Sequence, residues 1–136
     1  MFDPWDTARI NPRIHIRWSH TMRDDLLGAT NGVDTIWLNR RILTSQSDRR
    51  CTLTHELVHL DLGHQGHQPE AVEKQVRAIT AQLLITRPQL VDGLGWTRDL
   101  YELAEHLWVT PPVLRDRLEQ PDARALMERA HFQEWT

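Results

Sequence analysis

The strongest chemical signal in this 136-residue chain is a pair of histidines four residues apart, with a glutamate directly after the first. In the run His55-Glu56-Leu57-Val58-His59, a helix brings both imidazoles to one face, because positions i and i+4 are neighbours on a helix surface. Both rings could then hold one metal ion, with zinc as the default. Zinc lowers the pKa of a coordinated water to about 7, which a neighbouring carboxylate could deprotonate. The sequence therefore predicts one Zn²⁺ ion, with Glu56 as general base.

The sequence indicates the third ligand less directly. Catalytic zinc usually takes three protein ligands and keeps one position open. A histidine six positions beyond His59 would give one common arrangement, but Gln65 stands there. The next predicted helix opens with Glu70 and Glu73, and a helix hairpin could bring either carboxylate to the histidines. We prefer Glu73, near the inward stripe of that helix, because a first-turn residue such as Glu70 is expected merely to complement the helix dipole. A loop histidine is the other alternative.

Three further residues are candidates for contact with a substrate or an oxyanion. His64 and His67 lie in a glycine-flanked loop beside the predicted cleft, and the alternative for both is an exposed loop histidine. Arg77 lies one turn after Glu73. Its guanidinium could stabilise an oxyanion, or it could pair with Glu73 or Glu56 and weaken the site.

Two helices must position these side chains, and the pattern from Ser45 onward is helical. Ser45 or Ser47 can cap a first helix that Gly63 ends. Its apolar residues cover most of the circumference, so we expect it to be buried. A second helix begins at Pro69, a favoured first-turn residue, and Pro88 closes it.

The residues before this pair of helices have the pattern of strands and turns. The segment 13–18 alternates with period two, as a half-buried strand does. Asn31-Gly32 is a strong hairpin-type turn signal, and a second apolar-rich strand follows it over 33–38. We therefore predict a small antiparallel sheet within residues 1–44.

The remainder of the chain is predicted to be helical after a turn at Gly93 and Gly95. The last helix begins at Pro121 and frays near Trp135. The fold class is thus α+β, with a small antiparallel N-terminal sheet packed against helices. We expect one domain over 1–136, made of strands and turns over 1–44, metal-site helices over 45–88 and C-terminal helices over 96–136.

Composition excludes several classes of protein. The net charge of −3 does not provide the basic surface that a general nucleic-acid or anionic-membrane binder needs. A single cysteine, Cys51, rules out an internal disulfide framework and a four-thiolate zinc site. No apolar run approaches about 18 residues, and the start of the chain lacks the features of a signal peptide. We therefore expect a cytoplasmic protein that does not bind membranes.

Two helices joined by a tight turn over 97–120 have the outline of a helix-turn-helix. Five acidic residues outnumber three arginines in this segment, whereas DNA binding requires a basic face. We therefore expect no direct binding to nucleic acid, and a packing or protein-docking role for these helices.

In combination, the motifs resemble the ImmA/IrrE metallopeptidase family, and in particular its compact phage or actinobacterial members. The HExxH-type element occupies 52–59, and an element similar to ExxA(N/D)xFAxxLL occupies 73–85. A third segment, over 103–110, is similar to one that family members often carry further along the chain, and Arg117-Leu118 follows it. The resemblance covers about 47–119, and its specificity comes from the combination of the three elements.

The resemblance implies a zincin-like core in which His55, His59 and Glu73 are the zinc ligands and Glu56 is the general base. Members of the family act on transcriptional repressors during phage or mobile-element induction or in a stress response. The resemblance therefore implies a zinc-dependent endopeptidase whose protein substrate is a DNA-binding repressor.

The chain departs from the family pattern close to the metal site. Arg77 stands where Asn or Asp is common, and an arginine cannot accept a hydrogen bond from a ligand imidazole. Either another residue must therefore orient the ligand histidine, or the orienting hydrogen bond is absent. Asp61 could take it over, although we expect a solvated surface aspartate. These departures motivate an alternative function, a non-catalytic metal-binding regulator that acts by binding a repressor.

Overall fold

The computed structural model describes residues 1–129. One short helix and three strands are followed by a series of helices, which confirms the predicted α+β class. The predicted end of the last helix near Trp135 lies outside the described residues. In chain order the elements are α1 (Pro4–Arg9), β1 (His15–Ser19), β2 (Gly28–Thr30), β3 (Thr35–Asn39), α2 (Gln46–Asp61), α3 (Glu70–Leu84), α4 (Arg87–Trp96), α5 (Leu100–Leu107), α6 (Pro111–Leu118) and α7 (Pro121–Arg129).

The strands form one sheet in the order β1-β3-β2, and this sheet is mixed rather than antiparallel as predicted. β2 and β3 are antiparallel and are joined by the predicted turn at Asn31-Gly32, where Gly32 has a φ of +73°. β1 instead pairs in parallel with the other side of β3. The prediction was wrong because it missed β2. The segment 20–27 carries the chain across two strand spacings of about 4.8 Å each, so that β3 returns between the other two strands.

The chain begins with a helix, α1, where strands and turns were predicted. The carboxylate of Asp3 accepts hydrogen bonds from the backbone N–H groups of Trp5 and Asp6. Pro4 occupies the first helical position, where its missing N–H costs nothing. The Asp-Pro pair was therefore a helix-start signal that the strand interpretation overlooked.

Helix α2 has both predicted ends and lies at the centre of the molecule. Ser45 caps it through a capping box with Asp48, and Gly63 follows its C-cap with a φ of +73°. The helix packs against α1, β2, β3 and α3. Most of its residues are buried, as predicted.

The second predicted helix is divided into two, so the prediction that Pro88 closes it was wrong. α3 ends at Leu84, and Thr86 caps α4 through a capping box with Gln89. Pro88 lies in the first turn of α4, where no N–H is needed for the helix. The predicted turn at Gly93 and Gly95 was also wrong, since both residues lie within α4.

Two apolar clusters form the core, and α2 contributes to both. Leu53 and Leu57 belong to a cluster with the sheet and α1. Cys51 belongs to a larger cluster built mainly from α3 to α7. Both clusters therefore fix the position of α2, the helix that carries the histidine pair. No helix of the described chain is long and apolar enough to cross a membrane.

Candidate metal centre

The structure brings His55, His59 and Glu73 together between α2 and α3. One potential ligand atom from each residue lies within 4.8 Å of the other two. The Nε2 atom of His59 is 3.3 Å from Oε2 of Glu73, and Nε2 of His55 is 3.8 Å from the same oxygen. The two histidines share a face of α2 because they are one turn apart. The packing of α3 against α2 then brings the carboxylate to that face.

The donor set fits a zinc ion in both chemistry and spacing. Two imidazole nitrogens and one carboxylate oxygen are a ligand combination found in catalytic zinc sites. Tetrahedral ligands at about 2.0–2.1 Å from zinc lie about 3.3 Å from one another, close to the distances around Glu73. The Gln68 N–H donates a hydrogen bond to Oε1 of Glu73 at 3.2 Å, which leaves Oε2 for the histidines.

Burial prepares both histidines for metal binding. Burial and, to a smaller extent, the neighbouring His59 lower the pKa of His55 to about 4, against the opposing charge of Glu73. Burial also lowers the pKa of His59, against the opposing charge and hydrogen bond of Glu73. Both imidazoles are therefore neutral at pH 7, and the neutral form is the one that binds metal ions.

Glu56 lies beside the triad as a buried carboxylate. Burial and, to a smaller extent, the nearby charge of Glu73 together raise its pKa to about 7. It packs tightly against β2, because a Cβ atom at Gly28 would lie 3.0 Å from its Cγ. A carboxylate with a pKa near neutral can both accept and release a proton at physiological pH.

The alternative third ligand, Glu70, lies apart from the triad. Its carboxylate accepts a 2.6 Å hydrogen bond from Nη2 of Arg77 and is exposed. Arg77 therefore pairs with Glu70 rather than with Glu73 or Glu56, the two partners considered from the sequence. Arg77 also lines the cleft that contains the triad.

The two loop histidines occupy different environments. His64 is half-buried, and its Nδ1 atom lies 3.0 Å from Nδ1 of His59, a contact that the sequence did not indicate. His67 is exposed and lines the cleft, and its role in substrate or oxyanion binding stays a prediction. Asp61 is exposed and makes no hydrogen bond to a ligand histidine within the described chain.

The triad and Glu56 line a cleft of about 790 Å³. One wall is β2 with the leucines that precede it, of which Leu27 is 55% exposed. The first turn of α6, over 111–113, forms part of a second wall. Sequence reasoning missed both walls. The exposed pair Leu26-Leu27 in an otherwise polar segment was the one available signal.

A family model described as the IrrE N-terminal-like domain, Peptidase_M78, matches residues 8–119. The chain belongs to this family. The resemblance seen in the sequence is thereby confirmed, and the family supports a metallopeptidase-type function. Comparison with curated proteins and with solved structures gives no match.

The Peptidase_M78 match extends from the last residues of α1 to the residue after α6. It therefore includes both metal-site helices, the sheet and both walls of the cleft. Within the matched residues, the His55, His59 and Glu73 cluster is a site that could hold a metal ion.

Proposed function

We propose that this protein is a zinc-dependent endopeptidase. The observation that carries the proposal is the convergence of His55, His59 and Glu73 beside the buried Glu56 in one cleft. Membership of a metallopeptidase family supports peptide-bond hydrolysis. The nitrogen and carboxylate ligand set favours zinc among the divalent ions.

When bound, zinc supplies Lewis acidity that favours deprotonation of water and polarises a carbonyl. Among the protein's own residues, Glu56 transfers the protons. Its carboxylate takes a proton from the attacking water while the water oxygen bonds to the carbonyl carbon. The same carboxyl group gives this proton to the leaving nitrogen as the C–N bond breaks, which yields a free carboxylic acid and an amine.

The walls of the cleft favour a peptide bound in extended form. β2 is an edge strand that pairs only with β3 among the described strands. Its other edge can pair with the main chain of a substrate. Leu27 and the half-buried Val113 line the cleft and offer apolar contacts to substrate side chains. We propose that the substrate is a flexible segment of a protein and, from the family resemblance, that this protein is a transcriptional repressor.

The variant Glu56→Gln tests the proposal. Because it removes the proton acceptor and leaves all three ligands, we expect zinc content to be unchanged and cleavage to fall by at least about 100-fold. Cleavage is followed by gel electrophoresis after co-expression with candidate repressors, and zinc by metal analysis. The matched control is Asp61→Asn, which removes an exposed carboxylate from the same helix and should cleave like the wild type.

Two outcomes would contradict the endopeptidase proposal. Undiminished cleavage by Glu56→Gln would exclude Glu56 as general base. A stable, stoichiometric complex with a repressor, without chelator-sensitive fragments, would favour the non-catalytic regulator. Arg77 motivates that alternative because it stands where a hydrogen-bond acceptor for a ligand histidine is expected.

A further inference from the structure

The contact between His59 and His64 lies on the far side of the ligand ring from Glu73. The two Nδ1 atoms are 3.0 Å apart, and the rings meet edge to face with centroids 5.3 Å apart. His59 is only 5% exposed. Two nitrogens at this distance share one hydrogen, so one ring must donate and the other must accept.

Metal binding determines which ring donates. The Nε2 atom of His59 faces Oε2 of Glu73 and is the atom available to a shared metal ion. A neutral imidazole that binds a metal through Nε2 carries its only hydrogen on Nδ1. That hydrogen needs an acceptor, and in the described chain Nδ1 of His64 is the one within hydrogen-bond distance.

We propose that His64 is a positioning residue for the metal centre. Its Nδ1 lone pair accepts the His59 Nδ1–H bond and so holds Nε2 of His59 toward the metal. The inference rests on the proposed zinc site, and it concerns a residue outside the ligand set. Arg77 cannot accept this hydrogen bond, since its guanidinium has no acceptor atom and pairs with Glu70.

The backbone around His64 is built to hold the ring in this place. Its N–H donates to the carbonyl oxygen of His59 at 3.0 Å, just after the C-cap of α2. Gly63 and Gly66, on either side, have φ values of +73° and +65°, which favour glycine. The turn between β2 and β3 lies directly against this loop, since a Cβ atom at Gly32 would be 2.7 Å from the His64 carbonyl oxygen.

The arrangement also predicts where the protons lie in the metal-free protein. There, Oε2 of Glu73 is 3.3 Å from Nε2 of His59 and favours a hydrogen on that nitrogen. His59 Nδ1 would then accept from His64 Nδ1–H. Zinc loading therefore moves one hydrogen within each ring, from Nε2 to Nδ1 in His59 and from Nδ1 to Nε2 in His64, with no change in the charge of either ring.

The first test compares the zinc affinities of two variants by competition with a chelator. His64→Leu removes the acceptor, and we expect about 10–100-fold weaker binding, the usual cost of losing such an outer partner. His64→Asn can place its Oδ1 near the position of Nδ1, and we expect it to restore most of the affinity. His67→Leu is the matched control from the same loop and should bind zinc like the wild type. Thermal unfolding of the metal-free proteins shows whether each variant is folded.

A spectroscopic measurement separates positioning from general stability. In the zinc-loaded wild type, long-range ¹H–¹⁵N NMR should place the hydrogens on Nδ1 of His59 and on Nε2 of His64. A hydrogen on Nδ1 of His64 in that state would overturn the inference. So would wild-type zinc affinity in folded His64→Leu, or equally weak binding by His64→Asn. These results leave the zinc site itself standing, whereas a wild type that binds no zinc contradicts the proposed function.

Discussion

The side chains of the three candidate ligands, His55, His59 and Glu73, differ in their exposure to solvent. His59 and Glu73 expose only 7% and 13% of their side chains, whereas His55 exposes 27%. The inner part of the triad is therefore enclosed by α2, α3 and the loop between them. All three side chains line the cleft, and His55 is the most accessible of them to an approaching substrate.

The variants Glu73→Ala and Glu70→Ala distinguish the two candidate third ligands. Glu73 is within 3.8 Å of both ligand nitrogens, whereas Glu70 is exposed and paired with Arg77. Losing an outer partner costs about 10–100-fold in metal affinity, so losing Glu73 itself should cost more than about 100-fold. Glu70→Ala should bind zinc normally. Metal analysis after dialysis measures both, and full zinc retention by Glu73→Ala would remove Glu73 from the ligand set.

The residues of the site differ in how readily the sequence reveals them. The juxtaposition of His55 and His59 is a property of one helix, so spacing alone predicts it. Choosing Glu73 over Glu70 requires the rotation of α3 against α2, which spacing only suggests. The contact of His64 with His59 depends on two left-handed glycines and on a distant turn, and none of these is visible in a local pattern.

Among the elements, α4 illustrates how packing determines where glycine is needed. A Cβ atom at Gly93 would lie 2.6 Å from Cδ1 of Leu103, a fully buried side chain of α5. A Cβ atom at Gly95, two residues later, would meet nothing within 4 Å. Gly93 thus permits the close approach of α4 and α5, whereas Gly95 faces open space and has no such role.

The substitutions Gly93→Ala and Gly95→Ala should therefore have opposite effects on stability. Gly93→Ala overpacks the contact with Leu103, and we expect a loss of about 1–3 kcal/mol in the free energy of unfolding. Gly95→Ala improves helix propensity without a clash and should add up to about 1 kcal/mol. Urea unfolding of the three proteins provides the comparison. Similar losses for both variants would contradict the packing argument.

The edge strand β2 contacts the proposed general base, Glu56, at Gly28. A Cβ atom there would lie 2.9 Å from Cγ2 of Thr52 and 3.0 Å from Cγ of Glu56. Gly28→Val should displace either the strand or the base while leaving the zinc ligands in place. Because a displacement of about 1 Å can cost about 100-fold in rate, we expect a fall of that order in kcat/KM with zinc content unchanged. Gly95→Ala is the control glycine variant, and wild-type kcat/KM in Gly28→Val would contradict this role.

The errors in the predicted elements arise where the local sequence signal is either too short or ambiguous. β2 has only three residues, too few for an alternating pattern to stand out. Missing it made the sheet look antiparallel, although the Asn31-Gly32 turn itself was correctly identified. Pro88 is compatible with both the end and the first turn of a helix, and the cap by Thr86 decides between them. The long, capped and buried helix α2 was predictable because all its signals agree.

At the scale of the whole molecule, one buried arginine connects the metal-site helices to the C-terminal helices. Arg117 on α6 is 4% exposed, and its Nε donates to the carbonyl oxygen of Ile85, the C-cap of α3, at 2.7 Å. Its two Nη atoms donate to the carboxylate of Asp122 on α7 at 2.9 and 2.8 Å. The single guanidinium therefore joins α6 and α7 to the end of the helix that carries Glu73.

This connection should make part of the stability depend on pH through Asp122. The hydrogen bond from Arg117 holds the pKa of the Asp122 carboxyl below its ordinary value of 3.8. A carboxyl with a lowered pKa in the folded state contributes stability above its unfolded pKa and loses it as the pH falls through the folded pKa. At neutral pH Asp122→Asn should thus be less stable than the wild type, by on the order of 1 kcal/mol because the carboxylate is partly exposed to solvent.

Urea unfolding of wild type and Asp122→Asn from pH 7 down to pH 2.5 measures this contribution. The difference in unfolding free energy should persist down to about pH 4 and then narrow, because the wild type loses the ion pair by protonation and the variant has none to lose. Asp61→Asn is the control, since Asp61 is exposed and forms no ion pair within residues 1–129; its effect should stay within about 0.5 kcal/mol at every pH. A difference for Asp122→Asn that stays constant to pH 2.5 would show that the Asp122 charge does not hold α7 to α6.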